Sequence, residues 1–244
     1  MKIIRAIYSI YAATLFVTLF LMLMPFFLVP ILFRGAHSWT GALNRIWARV
    51  FFFIMFMPLR VEYREKLKKG RQYIFCPNHN SYLDIAVMGL APGKAHFVGK
   101  TGPDKVPLFG WMYRKLHITV NRNSLKSKYT TFMSAAKAID EGKSLIIFPE
   151  GGIINDKAGT LSPLKEGAFR LAIEKQIPIV PVTIPNNWII LPLNLLMRWK
   201  PVRLIFHRPI SAAGLKLSDM KGLKEQVKKT IEEELELISK NENR

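Results

Sequence analysis

The sequence predicts an α/β fold: a central mixed sheet flanked by helices, preceded by an amino-terminal pair of apolar helices. Three observations lead there. Short apolar runs recur from residue 73 onward, each closed by turn residues or a helical pattern. Helical patterns fall between those runs, the alternation that an α/β fold requires. The first 59 residues differ in kind from the rest, holding no Asp or Glu and five basic residues, Lys2, Arg5, Arg34, Arg45 and Arg49.

The amino-terminal pair is read from charge. From Ala6 to Phe33 the chain runs 28 residues without a charged side chain, more than the ~20 that cross a bilayer core as a helix. A cleaved signal peptide has a shorter apolar stretch followed by small residues, whereas Pro25, Pro30 and bulky Phe26, Phe27 and Phe33 stand here. The segment is therefore expected to be retained. A second apolar stretch, Trp39 to Leu59, is interrupted by Arg45 and Arg49, four apart and so on one helical face. That is the pattern of a helix lying at an interface. Basic residues flank the first stretch on both sides, so the positive-inside rule sets no direction for a single crossing. The expectation is a hairpin dipping into one leaflet. Its first helix breaks at the prolines and both basic ends stay on the cytoplasmic face of the cell membrane. A simple transmembrane anchor is the alternative.

Residues 1–59 are thus expected to form a membrane-anchoring helical hairpin and 60–244 an α/β domain, with the charged stretch Arg60 to Gly70 as the joint. Within the domain, Tyr73 to Cys76, Ala95 to Val98, Ile118 to Val120, Leu145 to Phe148, Ile179 to Ile184 and Val202 to Phe206 read as buried strands. Leu83 to Leu90, Lys126 to Glu141 and Leu164 to Lys175 read as helices between them. Near the end, Met220, Leu223, Val227, Ile231, Leu235 and Ile238 recur every three or four residues. They make the apolar stripe of a surface helix packed on the domain.

Charge narrows the partners. The 244 residues carry a formal net charge of +19 although half are hydrophobic, which points to an anionic neighbour, either nucleic acid or an anionic membrane face. A nucleic-acid binder has no use for 28 uncharged residues in a row, so lipid is the partner expected. The single cysteine, Cys76, excludes an intrachain disulfide and any multi-thiolate metal site. The histidines, His37, His79, His96, His117 and His207, are too scattered to propose a metal. Phosphate-loop, dinucleotide-turn and zinc-helix motifs are missing, as is the Gly-x-Ser-x-Gly elbow of a hydrolase.

Two constellations carry chemistry. Asn78-His79-Asn80-Ser81-Tyr82-Leu83-Asp84 follows directly on a strand, where open α/β sheets place their sites. An imidazole removes a hydroxyl proton near neutral pH, and a carboxylate orients it. One continuous helix would put residues five apart on different faces, so pairing His79 with Asp84 requires a loop-to-helix corner. The bland reading of Ser81 and Asp84 is a capping box. The second constellation, Phe148-Pro149-Glu150-Gly151-Gly152, also follows a strand, and by itself is better explained as a tight turn. Cys76, three residues before His79, raises a covalent route, but it sits in an apolar strand where a thiol packs as a small hydrophobe.

The two blocks together, in this order and separation, resemble the glycerolipid acyltransferase family, whose bacterial members include the PlsC-type 1-acylglycerol-3-phosphate acyltransferases. Ile118-Thr119-Val120-Asn121-Arg122 and Ile179-Val180-Pro181-Val182 extend the likeness, as do Lys100, Pro107-Leu108-Phe109-Gly110-Trp111 and Lys165-Glu166-Gly167-Ala168. The resemblance implies that His79 is the base and Asp84 its partner. It also implies that Arg122, Glu150 and Gly151 belong to the glycerol-phosphate pocket, with Lys100 and Lys165 as further substrate-binding residues. Its implied partners are acyl-CoA or acyl carrier protein as donor, lysophosphatidic acid as acceptor and the bilayer; no cofactor or metal is implied. Two departures bear on the acceptor rather than the reaction. Asn121 stands where the family has Asp, and Gly152-Ile153-Ile154-Asn155 replaces a Thr-Arg-Ser run. Other acceptors are another lysophospholipid or an amino-acid lipid, and the rival from a different class is a non-catalytic protein that gathers anionic lipid.

Overall fold

The computed structural model describes residues 2–100, 108–120, 125–153 and 159–242. Among these, seven strands form one sheet: β1 (Leu59–Tyr63), β2 (Ile74–Pro77), β3 (Ala95–Lys100), β4 (Ile118–Val120), β5 (Ser144–Ile147), β6 (Ile179–Thr183) and β7 (Val202–Phe206). Their spatial order is β1-β7-β6-β2-β5-β3-β4. All neighbours run parallel except β6 and β7, so the sheet is mixed, as the sequence predicts.

Both faces of the sheet are covered over its central strands β2, β5 and β6, which is why these read as unbroken apolar runs. Successive residues of β2 point to opposite sides. Phe75 joins Val180, Val182 and Phe206 in a cluster under the amino-terminal helices α1 (Lys2–Leu32) and α2 (Thr40–Ile54) and under α3 (Leu83–Met88). Ile74 and Cys76 face the other way, with Leu145 and Ile179. There they meet α5 (Leu125–Asp140), α6 (Gly167–Lys175) and the last helix, α8 (Met220–Glu242), through Ile139, Ala172 and Val227. The remaining helices are α4 (Phe109–Leu116) and the single turn α7 (Asn187–Ile190).

The prolines do not break the first helix. α1 runs continuously through Pro25 and Pro30, because the flanking Met24 and Phe27 pack with Phe20 against Met112 and Leu116 of α4, and this burial offsets the lost backbone hydrogen bonds. Buried residues recur along α1 at Ala12, Leu19, Phe20, Met24, Phe27 and Pro30. The helix therefore lies lengthwise on the domain, with α2 returning beside it. Tyr8 and Tyr11 donate hydrogen bonds to the carbonyls of Met55 and Ile54, both at 2.9 Å. Its outer face, including Ile3, Ile7, Leu21, Met22 and Phe26, is exposed.

The stretch expected to be a joint begins as a strand. β1 pairs in parallel with β7, and its charges suit an edge: Glu62 accepts from Arg203 at 2.9 Å and Arg64 reaches Glu234 at 2.7 Å. A cavity of about 240 Å³, lined in part by His96, Lys115, His117 and Lys137, lies near the amino-terminal ends of β3 and β4. That is the opposite end of the sheet from His79.

Candidate active site

The site is built at the carboxyl ends of β2 and β5, adjacent parallel strands. Past β2 the chain turns sharply into α3, leaving His79 in the loop and Asp84 in the first helical turn, the corner that their spacing requires. The loop is pinned from below by Asn78, whose side chain exchanges two hydrogen bonds with the backbone of Ile184, at 2.7 and 3.0 Å.

Asp84 is 1% exposed, so its oxygens need partners inside the protein. Oδ2 lies 3.0 Å from His79 Nδ1 and accepts from the backbone amides of Asn80 and Ser81, each at 2.8 Å. Oδ1 accepts from the Asn187 side chain at 2.8 Å. The capping box is only half formed, since Asp84 accepts from the Ser81 amide while Ser81 Oγ accepts from Leu83 rather than from Asp84; the same carboxylate that organises the corner also lies against the imidazole. Since a carboxylate only accepts, Nδ1 carries the hydrogen and Nε2 carries the lone pair. The His79 ring stacks on Phe148 at 4.0 Å between centroids, and its side chain keeps 11% exposure.

Glu150 is completely buried. Its Oε1 accepts from the His79 backbone amide at 2.6 Å and its Oε2 from that of Ser162 at 2.8 Å. Burial pushes the carboxyl above the usual carboxylate range, while these two amides pull the other way. Both oxygens are thereby committed to backbone, and the Phe-Pro-Glu-Gly turn is tied to the His79 loop through them.

Gly151 follows with φ +84°, and a side chain there would collide with the Lys165 stem, a β-carbon standing 2.5 Å from Nζ. The missing side chain lets Lys165 lie across this turn, while the Lys165 backbone amide donates to Pro149 at 2.8 Å. Lys100 closes β3, at the same end of the sheet as His79. Arg122 lies outside the described residues. Cys76 is fully buried, and burial pushes its thiol well above the usual range, which leaves it a poor nucleophile.

Asn187 was not singled out by sequence reasoning. The signal for it is slight: a polar Asn186-Asn187 pair just beyond the apolar run Ile179 to Ile184.

Comparison with known proteins agrees with this architecture. Residues 58–185 match the acyltransferase family model. The chain is 29% identical over 170 residues to a chloroplastic 1-acyl-sn-glycerol-3-phosphate acyltransferase of Brassica napus, covering 68% of this chain and 47% of that protein. It is 28% identical over 204 residues to one from Arabidopsis thaliana, covering 82% and 56%. A third, from Saccharomyces cerevisiae, is 33% identical over 150 residues, 58% of this chain and 49% of that one. The chain thus spans about half the length of the curated relatives it matches. In fold it is similar to the crystal structure of the 1-acyl-sn-glycerophosphate acyltransferase PlsC from Thermotoga maritima, with a TM-score of 0.77, 21% identity and coverage of 96% and 98%. A family match spanning more than half its length, with the His79 and Glu150 blocks inside it, means that this chain belongs to the acyltransferase family.

Proposed function

We propose that this chain moves a fatty acyl group from an acyl thioester, acyl-CoA or acyl carrier protein, to the sn-2 hydroxyl of lysophosphatidic acid, giving phosphatidic acid. The observation that carries the reading is the contact between His79 Nδ1 and Asp84 Oδ2 at 3.0 Å, with a His79 side chain that keeps 11% exposure.

In this mechanism His79 Nε2 takes the proton of the acceptor hydroxyl as that oxygen attacks the thioester carbonyl. Asp84 stabilises the imidazolium that forms. The tetrahedral oxyanion then collapses, the carbon–sulfur bond breaks, and the departing thiolate takes the proton back from the imidazolium. The relatives' names support the acceptor, and Lys165 across the Glu150-Gly151 turn supplies a cation for its phosphate. The departures at Gly152 to Asn155 favour a second reading in which the acceptor is another lysophospholipid, and a panel of acceptors separates the two.

A bilayer surface is the setting this reading calls for. α1 is long and apolar enough to cross a membrane, but its inner stripe is occupied by the domain along most of its length. A helix so engaged enters lipid sideways, by its outer face, which supports anchoring in one leaflet rather than a crossing. A soluble donor would favour the cytoplasmic face for the domain.

The test is thiol release from acyl-CoA in the presence of lysophosphatidic acid. His79→Ala is expected to lose about 10²–10⁴-fold in turnover while staying folded and membrane-bound. Turnover at the parent rate in that variant would remove His79 from the mechanism.

A further inference from the structure

We infer that Asn187 is a positioning residue for the reaction, the third member of a His79–Asp84–Asn187 array. This rests on His79 acting as the base. Three donors converge on Asp84 Oδ2, whereas Asn187 Nδ2 at 2.8 Å supplies the hydrogen bond recorded for Oδ1. Without it the carboxylate has a bare oxygen in a site closed to water and lowers its energy by turning about its side-chain bond. Any such turn carries Oδ2 away from the imidazole.

Two further observations favour a dedicated role. Asn187 is 1% exposed, and its own Oδ1 is buried with no hydrogen-bond partner among the described residues. An amide that served packing alone would orient to satisfy both ends; this one keeps its N–H on Asp84. The same segment also grips the loop at a second point, where Ser81 Oγ donates to the Leu191 carbonyl at 2.7 Å. A neutral donor is the right chemistry here, because it fixes Asp84 without adding a charge beside the dyad.

The experiment measures acyl transfer to lysophosphatidic acid with a radiolabelled acyl-CoA. Asn187→Leu should lower kcat on the order of 10- to 100-fold, with KM for both substrates held within about twofold. Added to Asp84→Asn, it should cost no more than about twofold further, since its effect runs through that carboxylate. Asn187→Asp keeps the shape and sets two carboxylates side by side. They hold one proton between them at low pH and lose it as pH rises, so this variant's kcat should fall with rising pH, a dependence that Asn187→Leu lacks. Parent-rate turnover in Asn187→Leu, full additivity with Asp84→Asn, or a flat pH profile in Asn187→Asp each overturns the proposal. Should Asn187→Leu fail to fold, the isosteric Asn187→Asp carries the test alone. An active His79→Ala would sink the base itself; an inactive His79→Ala beside an unimpaired Asn187→Leu would sink only this inference.

Discussion

At the residue scale the site is a set of buried acceptors matched to backbone donors. Glu150 shows this most plainly, because its two oxygens serve the amides of His79 and Ser162. Glutamine at this position has one carbonyl oxygen for two N–H groups and turns an amide donor toward the other. Glu150→Gln is therefore expected to cost about 1–3 kcal/mol of stability, read as a lowered denaturant midpoint. It should also lower kcat more than it raises KM, since His79 is displaced and the acceptor's own contacts are not. An unchanged kcat would mean that the His79 loop holds its place without this strut. Loss at His79 itself, about 10²–10⁴-fold on replacement by alanine, bounds what any supporting residue can contribute.

At the element scale the amino-terminal helices present two unlike faces. The inner face of α1 and α2 is part of the core, where Leu19, Phe51 and Phe52 join the cluster that contains Phe75 and Leu83. The outer face leaves Ile7 62% and Phe53 81% exposed. Large apolar side chains this open are expected to enter lipid, each contributing about 1.5–3 kcal/mol on burial. Ile7→Glu or Phe53→Glu should then reduce co-sedimentation with anionic vesicles by on the order of tenfold or more, leaving the melting temperature unchanged. Equal co-sedimentation would detach membrane binding from these helices. Side chains of α1 also tie it to the loop that follows α7, where Arg5 donates to the Leu196 carbonyl and Ser9 Oγ accepts from Met197 N–H.

At the scale of the whole molecule, a histidine far from the site is expected to make stability depend on acid. His117 is half-buried at the end of α4, beside β3, where it accepts from the Phe97 backbone amide at its Nδ1 and packs edge-on against the Phe97 ring at 5.2 Å. Burial, with His96 nearby, lowers its pKa from 6.5 to about 3. The unfolded chain therefore binds a proton on this ring at a pH where the folded chain does not. Stability is full above pH 6.5 and declines as pH falls toward about 3, by ~1.4 kcal/mol for each tenfold difference in proton affinity. Melting temperature measured across that range should drop, and replacing His117 with phenylalanine should flatten the drop. An equally steep decline in that variant would move the acid sensitivity elsewhere, with buried His207, also held low by burial, as the next position to replace.

Much of this was legible in the chain itself, for reasons of range. Strands buried on both faces announce themselves as apolar runs, and the corner joining His79 to Asp84 is a matter of five consecutive peptide units, so spacing alone required it. The long uncharged stretch likewise announced the long apolar helix α1. What spacing missed was set by contacts between distant segments. Pro25 and Pro30 read as helix breakers until Phe20, Met24 and Phe27 were seen packed on α4. Glu62 and Arg64 read as a linker, although Arg203 and Glu234 pair with them at a sheet edge. Asn187 carries only a slight local signal, since its meaning lies in a carboxylate 103 positions earlier. The sequence by itself determined which groups could act as base, orienting acid and anchor, because those are properties of side chains and short-range geometry. Tertiary structure alone decided which buried donors complete the array, because a hydrogen bond depends on distance in space and is indifferent to distance along the chain.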